Sequence, residues 1–299
     1  DARSTNPKRW TSWKYALLRD LYHATRQTLN RGLKNPQAQD ELIEQKQREA
    51  MRLLAQQGLD AQDCRNLWSC FGIEFFAPSS PEEIAWQSAR ILSANPEDLP
   101  LVVIRPIASR GCSEVFVYAR DESHLFVRIT ALLDQQALNI LDARITTTNT
   151  GMAVNSFRVV GTDQRPIETG PQTDQLKALL LDMLSISDSA SLPRVTRRLP
   201  RQHRHFDTET RISFSEDARN HRTMLRVTTL DRPGLLAELG AVFETCEILL
   251  QGAKISTVGA EVDDIFFITS RELGPIKNQE CLNCLRQEIH RRLETEQAA

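Results

Sequence analysis

A stretch of about 45 residues occurs twice in this chain, and a repeated segment of that length is one folding unit used twice. Asp121-Glu-Ser-His-Leu125 is followed by Ala143-Arg-Ile-Thr-Thr147. Asp231-Arg-Pro-Gly-Leu235 is followed, at the same distance, by Ala253-Lys-Ile-Ser-Thr257. Position 121 corresponds to 231, an offset of 110 that also pairs Leu132 with Val242, Ile140 with Leu250 and Phe157 with Phe267. A paired small unit without a catalytic cluster points to sensing or assembly ahead of catalysis.

Hydrophobic patterning gives each copy the same order of elements. In the first, Leu101-Val-Val-Ile104 and Val115-Phe-Val-Tyr118 are short β-branched and aromatic runs. A helix is predicted over about 123–137, strands over about 139–149 and 152–160, and a second helix over about 173–187. Arg211-Ile-Ser-Phe-Ser215 is expected to close this sheet. The second copy repeats the pattern, with a helix from Pro233, strands near 248–258 and 263–270, and a last helix marked by Leu282, Leu285, Ile289 and Leu293. The expected class is α+β, with two ferredoxin-like βαββαβ units of antiparallel sheet, whose edges side-by-side pairing would cover.

Residues ahead of the repeat read as helical. Trp10, Trp13, Leu17 and Leu21 form one apolar stripe; Leu42, Ile43, Ala50, Leu53 and Leu54 form another. Ser80-Pro-Glu-Glu83 has the form of a capping box with proline in the first turn. The expected division is a helical segment 1–98, a first unit 99–219 and a second unit 220–299.

Apolar residues make up 40% and charged residues 25% of the 299, with a formal net charge of -2. No global field draws the chain to nucleic acid or an anionic membrane, and no stretch approaches the roughly 18–20 apolar residues of a membrane span. The chain opens Asp-Ala-Arg-Ser, without Met or a signal peptide, as expected of a piece of a longer protein. Six scattered cysteines are expected to be reduced thiols of a cytoplasmic protein, Cys281-Leu-Asn-Cys284 included. Residues 188–208 carry five arginines with His203 and His205, either a solvated strap or an anion-binding arm. Of Asp263 and Asp264, at least one must face water.

The sharpest site candidate is Asp231, Arg232, Pro233, Gly234 and Leu235, between a strand and a helix. Asp231 can cap the helix, Pro233 suits its first turn, and Gly234 lets a ligand approach backbone N–H groups at the positive helix end. The same residues also make a sound strand-to-helix turn with no ligand. In the first copy, Asp121, Glu122, Ser123 and His124 add a charge and fill the space that Gly234 leaves open. No GxxxxGK[ST], GxGxxG or G-x-S-x-G sequence is present, and no metal ligands or catalytic residues are assigned.

Asp231-Arg-Pro-Gly-Leu-Leu-Ala237, Gly252-Ala-Lys-Ile-Ser-Thr257 and Asp264-Ile-Phe-Phe267 resemble an ACT domain, a small module that binds amino acids. Arg110-Gly-Cys-Ser-Glu-Val-Phe116, Gly151-Met-Ala153, Trp10-Thr-Ser-Trp-Lys14 and Pro81-Glu-Glu-Ile-Ala-Trp86 are similar to the C-terminal region of bifunctional PII uridylyltransferase/uridylyl-removing enzymes. The resemblance implies glutamine as ligand and PII as the parent's protein partner. It also implies UMP transfer at low glutamine and UMP removal at high glutamine. The Mg2+-dependent nucleotidyltransferase and the His-Asp hydrolase would lie upstream, so no cofactor is expected in this chain. In such modules the amino acid sits between one unit's strand–helix loop and its partner's second strand. Residues 231–235 would then face Asn139 and Ile140, and the weaker loop 121–124 would face Leu249 and Leu250. This sequence departs from the family pattern at Glu122-Ser-His124, Gln87, Cys112 and Cys246.

Overall fold

The computed structural model describes residues 37–295 apart from 123, 186–208, 259–260 and 273, together with scattered positions between 13 and 22. The arginine- and histidine-bearing connector and Ser123 therefore lie outside the described residues, as does most of the first predicted helix, of which positions 13, 15, 16, 18, 19 and 22 are helical.

Among the described residues from 37 onward, the helices α1 (Gln37–Gln56), α2 (Ala61–Trp68), the single turn α3 (Ile73–Phe76) and α4 (Pro81–Leu92) come first. The α4 start forms as its sequence dictates. Ser80 Oγ accepts from Glu83 N at 3.3 Å, and Glu83 accepts from Ser80 N at 3.0 Å. Helices α2 and α3 fall within the expected helical segment, where the sequence patterns did not delimit them. Asp60 caps α2 through Gln62 N and Asp63 N, and Phe71, Phe75 and Phe76 supply the apolar contacts that hold α3.

The first unit follows as β1 (Leu101–Ile107), β2 (Cys112–Arg120), α5 (Leu125–Gln135), β3 (Asn139–Thr147), β4 (Met152–Val160) and α6 (Pro171–Ser185). The second is β5 (Arg211–Asp217), β6 (Arg222–Leu230), α7 (Leu235–Thr245), β7 (Leu249–Lys254), β8 (Thr257–Val258), β9 (Glu261–Thr269) and α8 (Gln279–Thr295). The fold is α+β with antiparallel, ferredoxin-like units, as expected. One detail changes. Residues 211–217 pair with β6, from Arg211 opposite Thr228 to Asp217 opposite Arg222, and do not close the first copy's sheet. Each unit thus takes its edge strand from the front, through a tight hairpin, so β1 and β5 hold equivalent places. The hairpin of the second unit straddles residue 220.

All strands join one sheet, ordered β1-β2-β4-β3-β7-β9-β6-β5, with β8 paired to β9. The junction is β3 against β7. Ala143 lies opposite Ala253, flanked by Asp142 opposite Lys254 and Arg144 opposite Gly252. These are the positions the 110-residue offset makes equivalent, so a local two-fold axis passes through the Ala143–Ala253 pair. Both strands bulge just before it, between Ile140 and Asp142 and between Leu250 and Gly252. Beneath the junction α5 crosses α7 through Val127, Ala131, Ala237 and Ala241, which are also equivalent in pairs. The crossing is close: a Cβ on Gly240 would stand 2.8 Å from side-chain carbons of Phe126 and Val127.

The repeat is not in register to its end. Val115 pairs with Phe157, and its equivalent Leu225 pairs with Phe266, not Phe267. The connection from Ala253 to its partner Phe266 is one residue shorter than that from Ala143 to Phe157, so from there the offset is 109. A one-residue slip would turn a strand inside out. The shorter connection prevents this, and Phe157 and Phe266 are both fully buried. The main core lies between the sheet and helices α5–α8. In the first unit a second core covers the opposite face, where Phe116 and Val154 meet Trp68, Ile84 and Ile91.

Candidate functional site

Each unit has a strand–helix loop, β2–α5 and β6–α7, and the two-fold arrangement brings each to the far end of the other unit's first helix. At the second loop, α7 begins at Leu235 with Gly234 as its N-cap in the left-handed region (φ 81°). Asp231 is therefore not the helix cap, and Pro233 lies before the helix, not in its first turn. The tight turn Leu235 N to Arg232 O, 3.3 Å, uses those residues first. Capping comes from the other unit: Gly234 N–H donates to Asp134 Oδ2 at 3.0 Å. Asp134 lies in the last turn of α5. A carboxylate suits this place, because unpaired N–H groups and the positive helix end meet there.

The first loop repeats the geometry with different chemistry. His124 is the N-cap of α5 and is also left-handed (φ 63°). Its Nδ1 contacts Glu244 in the last turn of α7. Residues 124 and 234 are equivalent, as are 134 and 244, so both loops receive an acid from the partner unit. A side-chain imidazole replaces the backbone N–H as its target.

Glu122 and Arg232 stand at equivalent positions with opposite charge. Arg232 contacts Glu238, and Arg128, equivalent to Glu238, lies 4.0 Å from Glu122. The pair has exchanged ends. In both units the guanidinium also ties down the C-terminus of the second helix, where carbonyl groups lack intrahelical donors. Arg128 donates to Met183 O of α6; Arg232 donates to Arg292 O at 3.1 Å and Leu293 O at 3.3 Å of α8. Arg232 is thus engaged within its own unit, and the departure at Glu122 preserves the helix cap.

The expected partners across the junction lie close in the chain to Asp134. The Asn139 side chain donates to Gly161 O at 3.5 Å, and Ile140 is buried in the core. Leu249, at the equivalent of Asn139, is exposed, and Leu250 is half-buried against the core. Asp121 accepts from Thr147 Oγ1 at 2.7 Å. Sequence reasoning missed Asp134 and Glu244. The signal was present, since both are acids 110 residues apart on helix ends.

Below the second loop lies Asp264, buried in β9 at 1% exposure. Burial raises its carboxyl to about 7, against a hydrogen bond from Ser256 N at 3.1 Å, and the charges of Asp231 and Asp263 push it further up. Its Oδ2 has no hydrogen-bond partner. Asn155, opposite Val117 as Asp264 is opposite Val227, holds the equivalent buried place in the first unit.

Glu83, Asp142, Arg144 and Arg158 form a charged cluster between α4 and the first unit. Glu83 contacts Arg158, and reaches Arg144 Nη1 at 2.9 Å; Asp142 lies 3.3 Å from Arg158. Burial alone would raise the Glu83 carboxyl, but Arg144 and Arg158 outweigh it and hold it far below the usual carboxylate range. Gln87 donates to buried Glu114 at 3.2 Å, and Arg105 closes on Glu114 at 2.6 Å while lying over the Trp86 ring. Gln87 and Cys112, both departures from the family pattern, are interior packing residues. Burial pushes the Cys112 thiol up to about 11. The thiol expectation is corrected elsewhere: Cys284 forms a disulfide with Cys246, while Cys281 stays free. Cys281 and Cys284 lie one turn apart on one helix, whereas Cys246, at the α7 C-cap, faces α8 with a Cα–Cα distance of 6.2 Å.

Among the described residues no group of three or more His, Cys, Asp or Glu side chains is placed to hold a metal ion. No helix among them is long and apolar enough to cross a membrane.

Residues 38–90 match the family described as Uridylyltransferase GlnD fifth domain. The chain is 42% identical over 279 residues to the bifunctional uridylyltransferase/uridylyl-removing enzyme of Methylococcus capsulatus, covering 93% of this chain and 32% of that protein. It is 36% identical over 303 residues to the enzyme of the same name from Pseudomonas entomophila, covering 100% of this chain and 34% of that protein. The chain thus corresponds to one region of these enzymes, consistent with their C-terminal part. It spans about a third of the length of the curated relatives it matches.

Proposed function

We propose that this chain is the glutamine-sensing regulatory part of a PII uridylyltransferase/uridylyl-removing enzyme, acting on UMP transfer to and removal from PII in the cytoplasm. The observation that carries the reading is the pair of ACT-type units fused edge to edge, with the Gly234 loop against the other unit's helix end. The ligand carboxylate would take the Gly234 N–H at the α7 N-terminus, and the family supplies glutamine as its identity. Binding that favours one mutual arrangement of the units would bias the attached enzyme by no more than its differential affinity for the two states.

A second reading, an assembly or PII-docking pair without a small ligand, is favoured by one observation: each loop already holds an acid from the partner unit. A thermal-shift titration with the twenty amino acids separates the two. A selective rise with glutamine is expected for a sensor, growing with the logarithm of concentration above Kd; a flat response to all twenty supports assembly. Gly234→Asp should abolish glutamine binding by calorimetry. Unchanged binding in that variant would move the site to another loop.

A further inference from the structure

The two acids at the loops occupy the position that an amino-acid carboxylate would need. The Gly234 N–H is a backbone donor of this loop with a carboxylate on it, and that carboxylate comes from across the junction, from Asp134 of the other unit. Glu244 repeats the contact at His124 by the local two-fold axis. The repetition shows that an acid in the last turn of one helix reaching the other unit's loop is built into the pairing of α5 with α7. A separate feature lies beneath the same loop. Asp264, almost wholly buried, keeps an oxygen without a partner, and it is near enough to Asp231 for the two carboxylates to repel. A zwitterion offers one group for each feature: a carboxylate for the donor and an ammonium for the acidic surroundings.

The geometry points to Asp134 as an internal competitor for the ligand carboxylate: the Asp134–Gly234 contact is the closed form of the site, and an α-amino acid binds by displacing it. This rests on reading the Gly234 loop as the amino-acid site. It goes further by fixing how the site is regulated. The apparent affinity is the intrinsic one reduced by the fraction of molecules in which Asp134 has withdrawn. Opening also removes a contact that holds α5 to α7, so ligand occupancy and the mutual position of the two units change together. At the first loop the competitor is Glu244 and its target is an imidazole, so the two sites are unequal.

The test uses the whole chain, with Asp134→Ala and the milder Asp134→Asn. Calorimetry with L-glutamine should show tighter binding to both variants, by roughly tenfold if the closed form holds about nine molecules in ten. The gain should be confined to ligands that carry the α-carboxylate. The Gly234 amide should exchange with solvent faster in both variants in the absence of any ligand, since its acceptor is gone or weakened. Equal or weaker glutamine binding in the variants, with the wild type binding, would overturn the competition while leaving the site reading intact. An equal gain for 4-aminobutanamide, the decarboxylated analogue, would also overturn it. Loss of glutamine binding in wild type and variants alike would remove the site reading and the competition together. An unchanged Gly234 exchange rate would show that the contact itself does not persist in solution.

Discussion

The two units share a backbone plan but present opposite surfaces on the sheet face turned away from α5–α8. In the first unit that face carries Phe116 and Val154, both buried against α2 and α4. The structurally equivalent residues of the second are Arg226 and Asp263, which pair with each other at 2.6 and 2.5 Å in water. Two apolar anchors have become a cross-strand ion pair. The neighbours are exchanged in the opposite sense: Glu114 and Arg158, buried and bonded to α4 or its cluster, correspond to half-buried Met224 and Phe267, so the charges that hold the helical layer have no counterparts there. One duplicated unit has thus been adapted to accept a helical layer, and the other carries no such layer among the described residues. Fold alone does not say which partner a sheet face takes; two or three residues on it do.

The comparison breaks most sharply at Glu83. Glu83→Ala leaves Arg144 and Arg158 interior with one partner fewer, and removing one member of a buried ion cluster costs about 3–5 kcal/mol. Urea unfolding followed by tryptophan fluorescence should report that loss, and Trp68 and Trp86 should respond first because they sit at this contact. The pH dependence has a definite sign. The folded carboxyl lies far below the unfolded value of about 4.3. Its stabilisation is therefore complete above that value and is lost as pH falls below it. The helical layer should loosen below about pH 4 in wild type, and this acid transition should be absent from Glu83→Ala.

Among the described residues the second unit has no such layer, but it has a covalent tie. Cys246 and Cys284 close a loop with a sequence separation of 38. By the chain-entropy account, opening it costs about 3–4 kcal/mol. Cys246→Ser, or reduction of the wild type, should lower the midpoint of the second unit and leave the Glu83-dependent transition in place. A shift of both transitions together would show that the two units unfold as one cooperative body.

Much of this was legible in the sequence and some was not, for identifiable reasons. The repeat located both units and their loops, and side-by-side pairing was expected, but the meeting of Ala143 with Ala253 came only with the sheet. The capping box at Ser80–Glu83 located α4. The docking role of Glu83 was hidden, because its partners Arg144 and Arg158 lie 61 and 75 residues away and only the fold joins them. The edge strand 211–217 was assigned to the wrong unit, since a β-run carries no mark of the neighbour it will pair with. The register of Phe266 was missed by one position because a one-residue deletion is invisible when two phenylalanines stand side by side. In the site, the Gly234 loop was found by its residue types. Asp134 and Glu244 were not, since an isolated acid on an amphipathic helix reads as a solvated one until the facing helix is known.

A smaller effect separates the buried positions of Asp264 and Asn155. Asp264→Asn gives the second unit the amide that the first already has. The wild-type carboxyl titrates near 7 in the fold and near 3.9 when unfolded. Between those values the folded chain carries a proton that the unfolded chain lacks. Stability therefore declines as pH rises across that window and levels off above it. The variant should be the more stable at pH 8, on the order of 2–4 kcal/mol, with a flatter melting profile between pH 5 and 8. An equal pH slope in both proteins would place the titrating group elsewhere.

The smallest effect belongs to the pair that replaces the buried anchors. Arg226 and Asp263 have two-pronged geometry, and Thr228 adds a hydrogen bond to Asp263 at 3.3 Å. Geometry of this quality could be mistaken for strength. Both side chains are open to water, where the attraction is screened and the ordering of two long side chains offsets most of it. Arg226→Ala should move the melting temperature by no more than about a degree, and added salt should remove even that difference. Arg226→Phe, which restores the first unit's residue, should leave the fold intact but expose a new apolar patch, read as concentration-dependent self-association in sedimentation. A large drop in melting temperature for Arg226→Ala would mean that this face is covered in solution, and the contrast between the two units would then be one of partner chemistry alone.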